Sequence, residues 1–258
     1  MKSLIKYKKF STKIRKSVLK VGLTSQCSHL GSNLSIVDIL TVLYLKFLKN
    51  KKNFFILSKG HACLSLYCIL KEMNFISDKT LNTFGKNNSL LMSHTSHKIP
   101  GVEFSTGSLG HGLPVATGVA LADKINKNNN KTFVILSDGE LDEGTNWEAL
   151  LFSSHHKLNN LTIIIDYNKL QSIGTVKKTL NLEPLTKKFL SFGCKVLKVD
   201  GHNFIQIFNA LNFKSNRPIV IIANTIKGKG VTFMENSILW HYKSLDLDNY
   251  QKAIKEIN

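Results

Sequence analysis

The stretch "TFVILSDGELDEGTNWEALLFSSHHKLNNLTIIIDYNK" (132–169) decides how this chain reads. It opens on an apolar run, "TFVILS" (132–137), passes an acidic turn and a helical segment, "TNWEALLFSSHHKL", and closes on a second run, "LTIIID" (161–166). Apolar runs without in/out alternation belong to strands covered on both faces. A strand, a helix and a strand in that order make a right-handed crossover, which leaves both strand tips at one edge of a parallel sheet. Asp138 follows the first strand and Asn168 the second, 30 residues later (168 − 138), so two side-chain oxygens arrive at the same edge. Gly139 lets the backbone there approach a ligand closely. An Asp oxygen, an Asn oxygen and a backbone carbonyl form a hard, oxygen-only site with positions left for phosphate oxygens and water, an arrangement that suits Mg²⁺. Such an ion would hold a diphosphate against the Gly139 amide and a helix N-terminus. A plainer use exists for Asp142 and Glu143, which precede "GTNWEAL" and can offset the helix dipole and cap its free amides.

The same grammar extends in both directions. "NFFILS" (53–58) ends in "KGH" and leads into a helical "ACLSLYCILKEM"; "CKVLKVDGH" and "RPIVIIANT" are further strands, with the helix "NFIQIFNALNF" between them. "GSLGHG" (107–112) is Gly-rich and introduces the helix "LPVATGVALADKI". "SIVDILTVLYLKFL" (35–48) has helical apolar spacing at Ile36, Ile39, Leu40, Leu43 and Phe47, with Ser35 and Asp38 as a capping box. The predicted fold is three-layer α/β, with a mainly parallel sheet and helices on both faces. No repeat or Pro/Ser-rich linker divides residues 1–258. In such sheets ligands bind beyond the carboxyl ends of the strands, where Asp138, Asn168 and His61 fall.

Composition narrows the class. The chain has 258 residues, 43% of them hydrophobic, and no apolar run of membrane-spanning length. "MKSLIKYKKFSTKIRKS" lacks an apolar core and a cleavage site, so a cytoplasmic protein is expected. Four cysteines (Cys27, Cys63, Cys68, Cys194) show no metal spacing and read as reduced thiols. Lys and Arg outnumber Asp and Glu 35 to 17, a formal charge of +18. The lysines are scattered among Asn, Ile and Phe, a pattern that adds cations at any solvated position, so a solvated basic surface is expected over a nucleic-acid footprint. Small anionic, phosphate-bearing molecules fit this charge.

"SDGELDEGTNWEALLFSSHHKLNNLTIIIDYNKLQSIG" (137–174) resembles the thiamine diphosphate signature, a GDG triplet closed some thirty residues on by asparagine. "CSHLGSNLS", "LSKGHACLSLYCIL", "SHKIPGVEFSTGSLGHGLPVATGVALA" and "ANTIKGKGVTFMEN" with its following "WH" resemble, in order, the diphosphate-binding part of transketolase. The resemblance implies the thiamine diphosphate-binding fold, and Asp138, Asn168 and the Leu170 carbonyl as ligands of Mg²⁺, with Ca²⁺ or Mn²⁺ as substitutes. It implies that His61, Gly107, Ser108, Leu109, Gly110, Gly139, Glu140, Asn168 and His241 contact the cofactor, and that the turn from Gln171 to Gly174 closes over its diphosphate. His29, His97 and His241 correspond to histidines that bind substrate hydroxyls and move protons, work suited to a group titrating near neutrality. His111 and His202 lie in matching loops; His94, His155 and His156 read as ordinary, and no zinc site is expected from His94 and His97. Glu143 and Glu148 correspond to glutamates at the interface between subunits, although Glu148 also fits an exposed helix position.

The resemblance further implies a ketol transfer between sugar phosphates. It places a pyrimidine-binding and a C-terminal domain after this one, so both are expected on a separate C-terminal subunit, two copies of each chain assembling. Ser137, Ser108 and Tyr242 depart from the family pattern. Two other thiamine enzymes share part of it, deoxyxylulose phosphate synthase and the α subunit of 2-oxoacid dehydrogenases. From another class, a basic nucleic-acid-binding protein would show steep salt dependence and no response to Mg²⁺ with thiamine diphosphate.

Overall fold

The structure, a computed structural model, describes residues 2–49 and 52–257. The chain begins with helix α1 (Lys2–Ser25), in which Tyr7, Ile14, Val18 and Val21 are buried while Lys6, Lys9, Lys13, Lys16 and Lys20 face out. That division at spacings of three and four holds the helix to the body by one apolar stripe. Two short helices follow, α2 (Leu30–Ser35) and α3 (Val37–Val42), the second running on into a π-type turn at Leu43–Phe47. The expected single helix from Ser35 with its capping box is therefore corrected. Ser35 instead donates to Asp166 Oδ2 at 2.7 Å, and Asp38 is taken by Arg15. Buried charge claimed both side chains before any free amide could.

Next come β1 (Phe54–Leu57), α4 (Cys63–Glu72), α5 (Asp78–Leu81), α6 (Gly112–Ile125), β2 (Thr132–Ser137) and α7 (Gly144–His155). β3 (Leu161–Tyr167), α8 (Val176–Thr179), α9 (Leu185–Ser191), β4 (Lys195–Asp200), α10 (Phe204–Asn212), β5 (Ile219–Asn224) and α11 (Leu247–Glu256) complete the order. The five strands form one parallel sheet in the order β1-β2-β3-β5-β4.

Strands β2 and β3 are buried at every position, which is why they read as unbroken apolar runs. Their side chains divide by parity. Phe133, Ile135 and Ile164 join α1, α3, α4 and α10 in one core; Val134, Leu136, Ile163 and Ile165 join α6, α7 and α9 in the other. Each fully buried aliphatic or Phe side chain contributes about 1.5–3 kcal/mol, so both layers are held by the same strands. The chain passes from β3 over β5 to β4 on one face and returns to β5 on the other, so the connections leaving β3 and β5 diverge to opposite faces, the place where such folds open a crevice. Register sets its floor: Ser137 pairs with Asp166, and Tyr167 with Asn224, so Asp138 and Asn168 leave adjacent strands side by side. Among the described residues no helix is long and apolar enough to cross a membrane.

Candidate functional site

The loops at the strand tips enclose a cavity of about 270 Å³. Asp138, Gly139, Asn168 and Leu170 form one wall, Ser32, Lys59 and Lys227 lie deeper, and His29, His61 and His241 stand together. Asp138 is 1% exposed. Its Oδ1 accepts from the Gly139 amide at 2.8 Å and its Oδ2 from the Lys169 amide at 2.6 Å, so the carboxylate pins the two loops together. Burial, then the neighbouring Asp166, push its pKa up to about 7. A carboxylate so placed is stabilised by a cation. Asn168 Nδ2 donates to Asp166 Oδ2 at 3.3 Å, which fixes the amide orientation and leaves Oδ1 as an acceptor, bonded only to the local Leu170 amide at 3.1 Å. Carboxylate, amide and carbonyl oxygens on one cavity wall fit a hard divalent ion. Among the described residues no group of three His, Cys, Asp or Glu side chains could hold a metal, so an ion here would depend on the Asn and carbonyl oxygens.

Beneath Asn168, Asp166 forms an ion pair with Lys59 and accepts from Ser35 and Thr225. Burial opposes its charge, yet the Lys59 ammonium and these bonds hold its carboxyl below the usual range. Lys227 Nζ donates to the carbonyls of Leu170 and Gln171 at 3.1 and 3.2 Å and lies 3.1 Å from His241 Nδ1. Burial, then Lys59, lower its pKa to about 8.

The three imidazoles come from three separate loops. Ring centroids lie 4.6 Å apart for His29 and His241, 5.4 Å for His29 and His61, and 5.8 Å for His61 and His241. His29 holds a left-handed φ of 65°, and its backbone N–H donates to the His241 carbonyl at 2.9 Å. Non-glycine residues rarely adopt that conformation, so the loop is held by its surroundings. Burial first, and then the neighbouring imidazoles and lysines, which oppose a further positive charge, lower His29 to about 4 and His241 to about 3, and push His61 well down. The cavity thus presents neutral imidazoles beside ammonium groups, an environment that favours an anion.

Not every expected residue reaches the cavity. His97 is exposed and bonds Ser105 Oγ through Nδ1 at 2.8 Å, outside the lining, whereas His94, expected to be ordinary, lies on it. Of residues 107–110, Gly107 and Leu109 line the cavity; Ser108 and Gly110 do not. Glu140 is corrected from a lining residue to a brace: fully buried, it accepts from Ser58 and from the amides of Gly110 at 3.0 Å and Ser137 at 3.3 Å. It supports the Gly107–Gly110 loop from behind. His111 precedes α6 at the surface without a side-chain capping bond, and His202 bonds Asp38 away from the cavity. His155 and His156 end α7, while Glu143 and Glu148 are exposed. The turn closing over Gly139 is present, with the Gln171 amide donating to the Gly174 carbonyl at 2.9 Å. A side chain at position 139 would press on Gln171 Cγ at 3.1 Å.

A profile of the family described as transketolase, thiamine diphosphate binding domain, matches residues 8–257. This chain belongs to that family. Its transketolase relatives include one of the apulose-4-phosphate transketolase subunits of Phocaeicola vulgatus, 35% identical over 96% of this chain and 92% of that protein. A 6-deoxy-6-sulfo-D-fructose transketolase subunit of a Clostridium species is 34% identical, covering 89% and 88%. Human transketolase is 32% identical over 96% of this chain but only 41% of its own length. The solved transketolase of Campylobacter jejuni superposes with a TM-score of 0.90 at 28% identity, covering 100% of this chain and 43% of that one. The thiamine diphosphate-binding fold expected from the sequence is therefore the observed one.

Four residues of this transketolase-family site escaped the sequence reading: Ser32, Lys59, Asp166 and Lys227. Asp166 did carry a signal, a carboxylate at the end of an otherwise apolar strand buried at every position. Lys59 and Lys227 are two among 35 Lys and Arg residues, and nothing in residue type separates a buried lysine from a solvated one. Two of the departures from the family pattern have a visible place in the structure. Ser137 Oγ accepts from the Glu140 amide at 3.2 Å and so caps the turn, and Tyr242 is 58% exposed, edge-on to His241.

Proposed function

We propose that this chain is the diphosphate-binding subunit of a transketolase-type enzyme that moves a two-carbon ketol unit from a ketose phosphate to an aldose phosphate. One observation carries the reading: Asp138, Gly139, Asn168, Leu170 and Lys227 converge on a cavity that three neutral histidines share. Asp138, Asn168 Oδ1 and the Leu170 carbonyl would hold Mg²⁺, the Gly139 amide would donate to a diphosphate oxygen, and Lys227 would offset its charge. Bound thiamine diphosphate supplies a ring that accepts the electron pair released when a ketose carbon–carbon bond breaks. His29 and His241, neutral at physiological pH, would hydrogen-bond the sugar hydroxyls, and charge building up on bound substrate and cofactor would raise them toward the range in which they move a proton, while His61 would lie against the cofactor. His97 would need to reach the substrate from the rim.

Residues 1–258 form one diphosphate-binding domain on this reading, and a C-terminal subunit supplies the pyrimidine-binding half, two of each chain assembling in the cytoplasm. Support comes from relatives named as subunits that the chain nearly spans, beside transketolases of which it spans about two fifths. Exposed Ile173, Leu239 and Tyr242 lie next to lining residues and offer apolar area to a partner. The relatives' names point to a phosphorylated or sulfonated ketose as donor. Co-expression with the neighbouring reading frame, followed by a ketol-transfer assay with pentose phosphates, apulose 4-phosphate and 6-deoxy-6-sulfofructose, tests this. Transfer is expected only from the pair of chains, and full transfer by the purified chain alone would overturn the subunit reading.

A further inference from the structure

Behind the cavity, a second buried cluster grips the segment that carries Lys227. Asp38 is 4% exposed and accepts three hydrogen bonds, from Arg15 Nη1 at 2.8 Å, Arg15 Nη2 at 2.7 Å and His202 Nδ1 at 2.8 Å. Burial opposes its charge, but the Arg15 guanidinium and His202 hold its pKa down to about 2, so it is an anion. Both partners reach past Asp38 to the same turn. His202 Nε2 accepts from the Ile226 amide at 2.9 Å, and Arg15 Nε donates to the Lys229 carbonyl at 3.1 Å. These two bonds bracket Lys227 on either side. A third, from the Gly228 amide to the Gly31 carbonyl at 2.9 Å, fastens the turn to α2. Gly228 has a φ of +83°, and a Cβ there would lie 2.3 Å from the Met234 carbonyl oxygen, so the turn has no other route.

The bonding pattern fixes the state of His202. Nε2 is occupied as an acceptor, so the proton sits on Nδ1 and points at Asp38. The imidazole therefore transmits the position of a buried carboxylate to the backbone amide next to Lys227. With its flanks held, the Lys227 side chain extends to Leu170, Gln171 and His241. None of Arg15, Asp38 and His202 lines the cavity.

We infer that Arg15, Asp38 and His202 are positioning residues that set the Lys227 ammonium for the anionic end of the cofactor. The inference rests on the cavity being the diphosphate site, and it gives α1, far along the sequence from the signature, a part in binding. A group that only stabilises the fold would lower stability without interacting specifically with Lys227; a group that acts through Lys227 loses its effect once Lys227 is gone.

The test is calorimetric titration of the full chain with inorganic diphosphate in excess Mg²⁺, for K227A, H202F and the double variant. K227A is expected to weaken binding at least tenfold and H202F about fivefold, with the double variant no weaker than K227A. H202N places an amide where Nδ1 sits and nothing at Nε2, and the same non-additivity is expected from it should H202F not fold. In the unsubstituted chain, ¹⁵N spectra should show the Nδ1-protonated tautomer of His202. Unchanged affinity in the His202 variants, or full multiplication of the two losses in the double variant, overturns the inference while K227A still binds weakly. No diphosphate binding in the unsubstituted chain, or unchanged binding in K227A, removes the cavity reading and the inference with it.

Discussion

Asp166 and Lys59 show what a single buried pair does for this site. Both side chains are essentially out of solvent, and Asp166 orients the Asn168 amide. Removing one partner of such a pair leaves an uncompensated charge and costs about 3–5 kcal/mol. K59M is therefore expected to lower stability by that order in urea unfolding, with the double variant K59M/D166N recovering part of it; a loss under about 1 kcal/mol would contradict the assignment. The histidines give a second residue-scale prediction. His29 titrates near 4 in the folded chain, mainly through burial. An unfolded imidazole titrates near 6.5, so between those values the unfolded state binds more protons. Stability is then full above about pH 6.5 and falls as pH drops toward 4, with the lowered His241 and His61 adding to the loss. His29→Asn, which tolerates the left-handed φ, should make the melting midpoint fall less steeply across that window; an unchanged slope would contradict it. Legibility at this scale followed chemistry. Asp138 and Asn168 could be read because oxygen side chains at strand tips, 30 residues apart, have few other uses. Lys59 and Lys227 could not, because burial is decided by loops packing from distant parts of the chain.

At the scale of elements, close approach does the positioning. Helix α6 begins against the tip of β1, where a Cβ on Gly112 would lie 2.2 Å from Ser58 Oγ and 2.9 Å from Ser58 Cα. The backbone has no slack, so Gly112→Ala must push α6 away from β1. Overpacking of this kind costs about 1–3 kcal/mol. Because the preceding Gly107–Gly110 loop lines the cavity, cofactor affinity should fall together with the melting temperature. A variant with normal affinity would separate the helix from the site. All of the strands β1 to β5, and helices α4, α6, α7 and α10, were legible from apolar-rich runs and turn residues. The segment 35–48 was misread as one capped helix, since Ser35 and Asp38 answer to Asp166 and Arg15, contacts no local pattern reveals. Helix α1 hid behind its lysines, although Tyr7, Ile14, Val18 and Val21 mark a buried stripe.

For the whole molecule, the diverging connections at the strand tips create a crevice, and the sequence places its polar groups there. Fold class and layer order followed from covered parallel strands alone. Charge had less to say about fold. Most of the +18 is spread over solvated faces; within the cavity, burial first and then the neighbouring lysines keep its histidines uncharged. Replacing Asp138 by Ala should weaken Mg²⁺-dependent thiamine diphosphate binding at least a hundredfold while the circular dichroism spectrum stays that of the folded chain. Retained affinity would refute the proposed ligand role. The most direct measurement is titration of the chain, together with the proposed C-terminal subunit, with thiamine diphosphate, first in Mg²⁺ and then in a chelator, and with unphosphorylated thiamine as the comparison. Tight binding that requires both the cation and the diphosphate is the predicted result. Equal affinity for thiamine, or affinity indifferent to the chelator, would contradict the account.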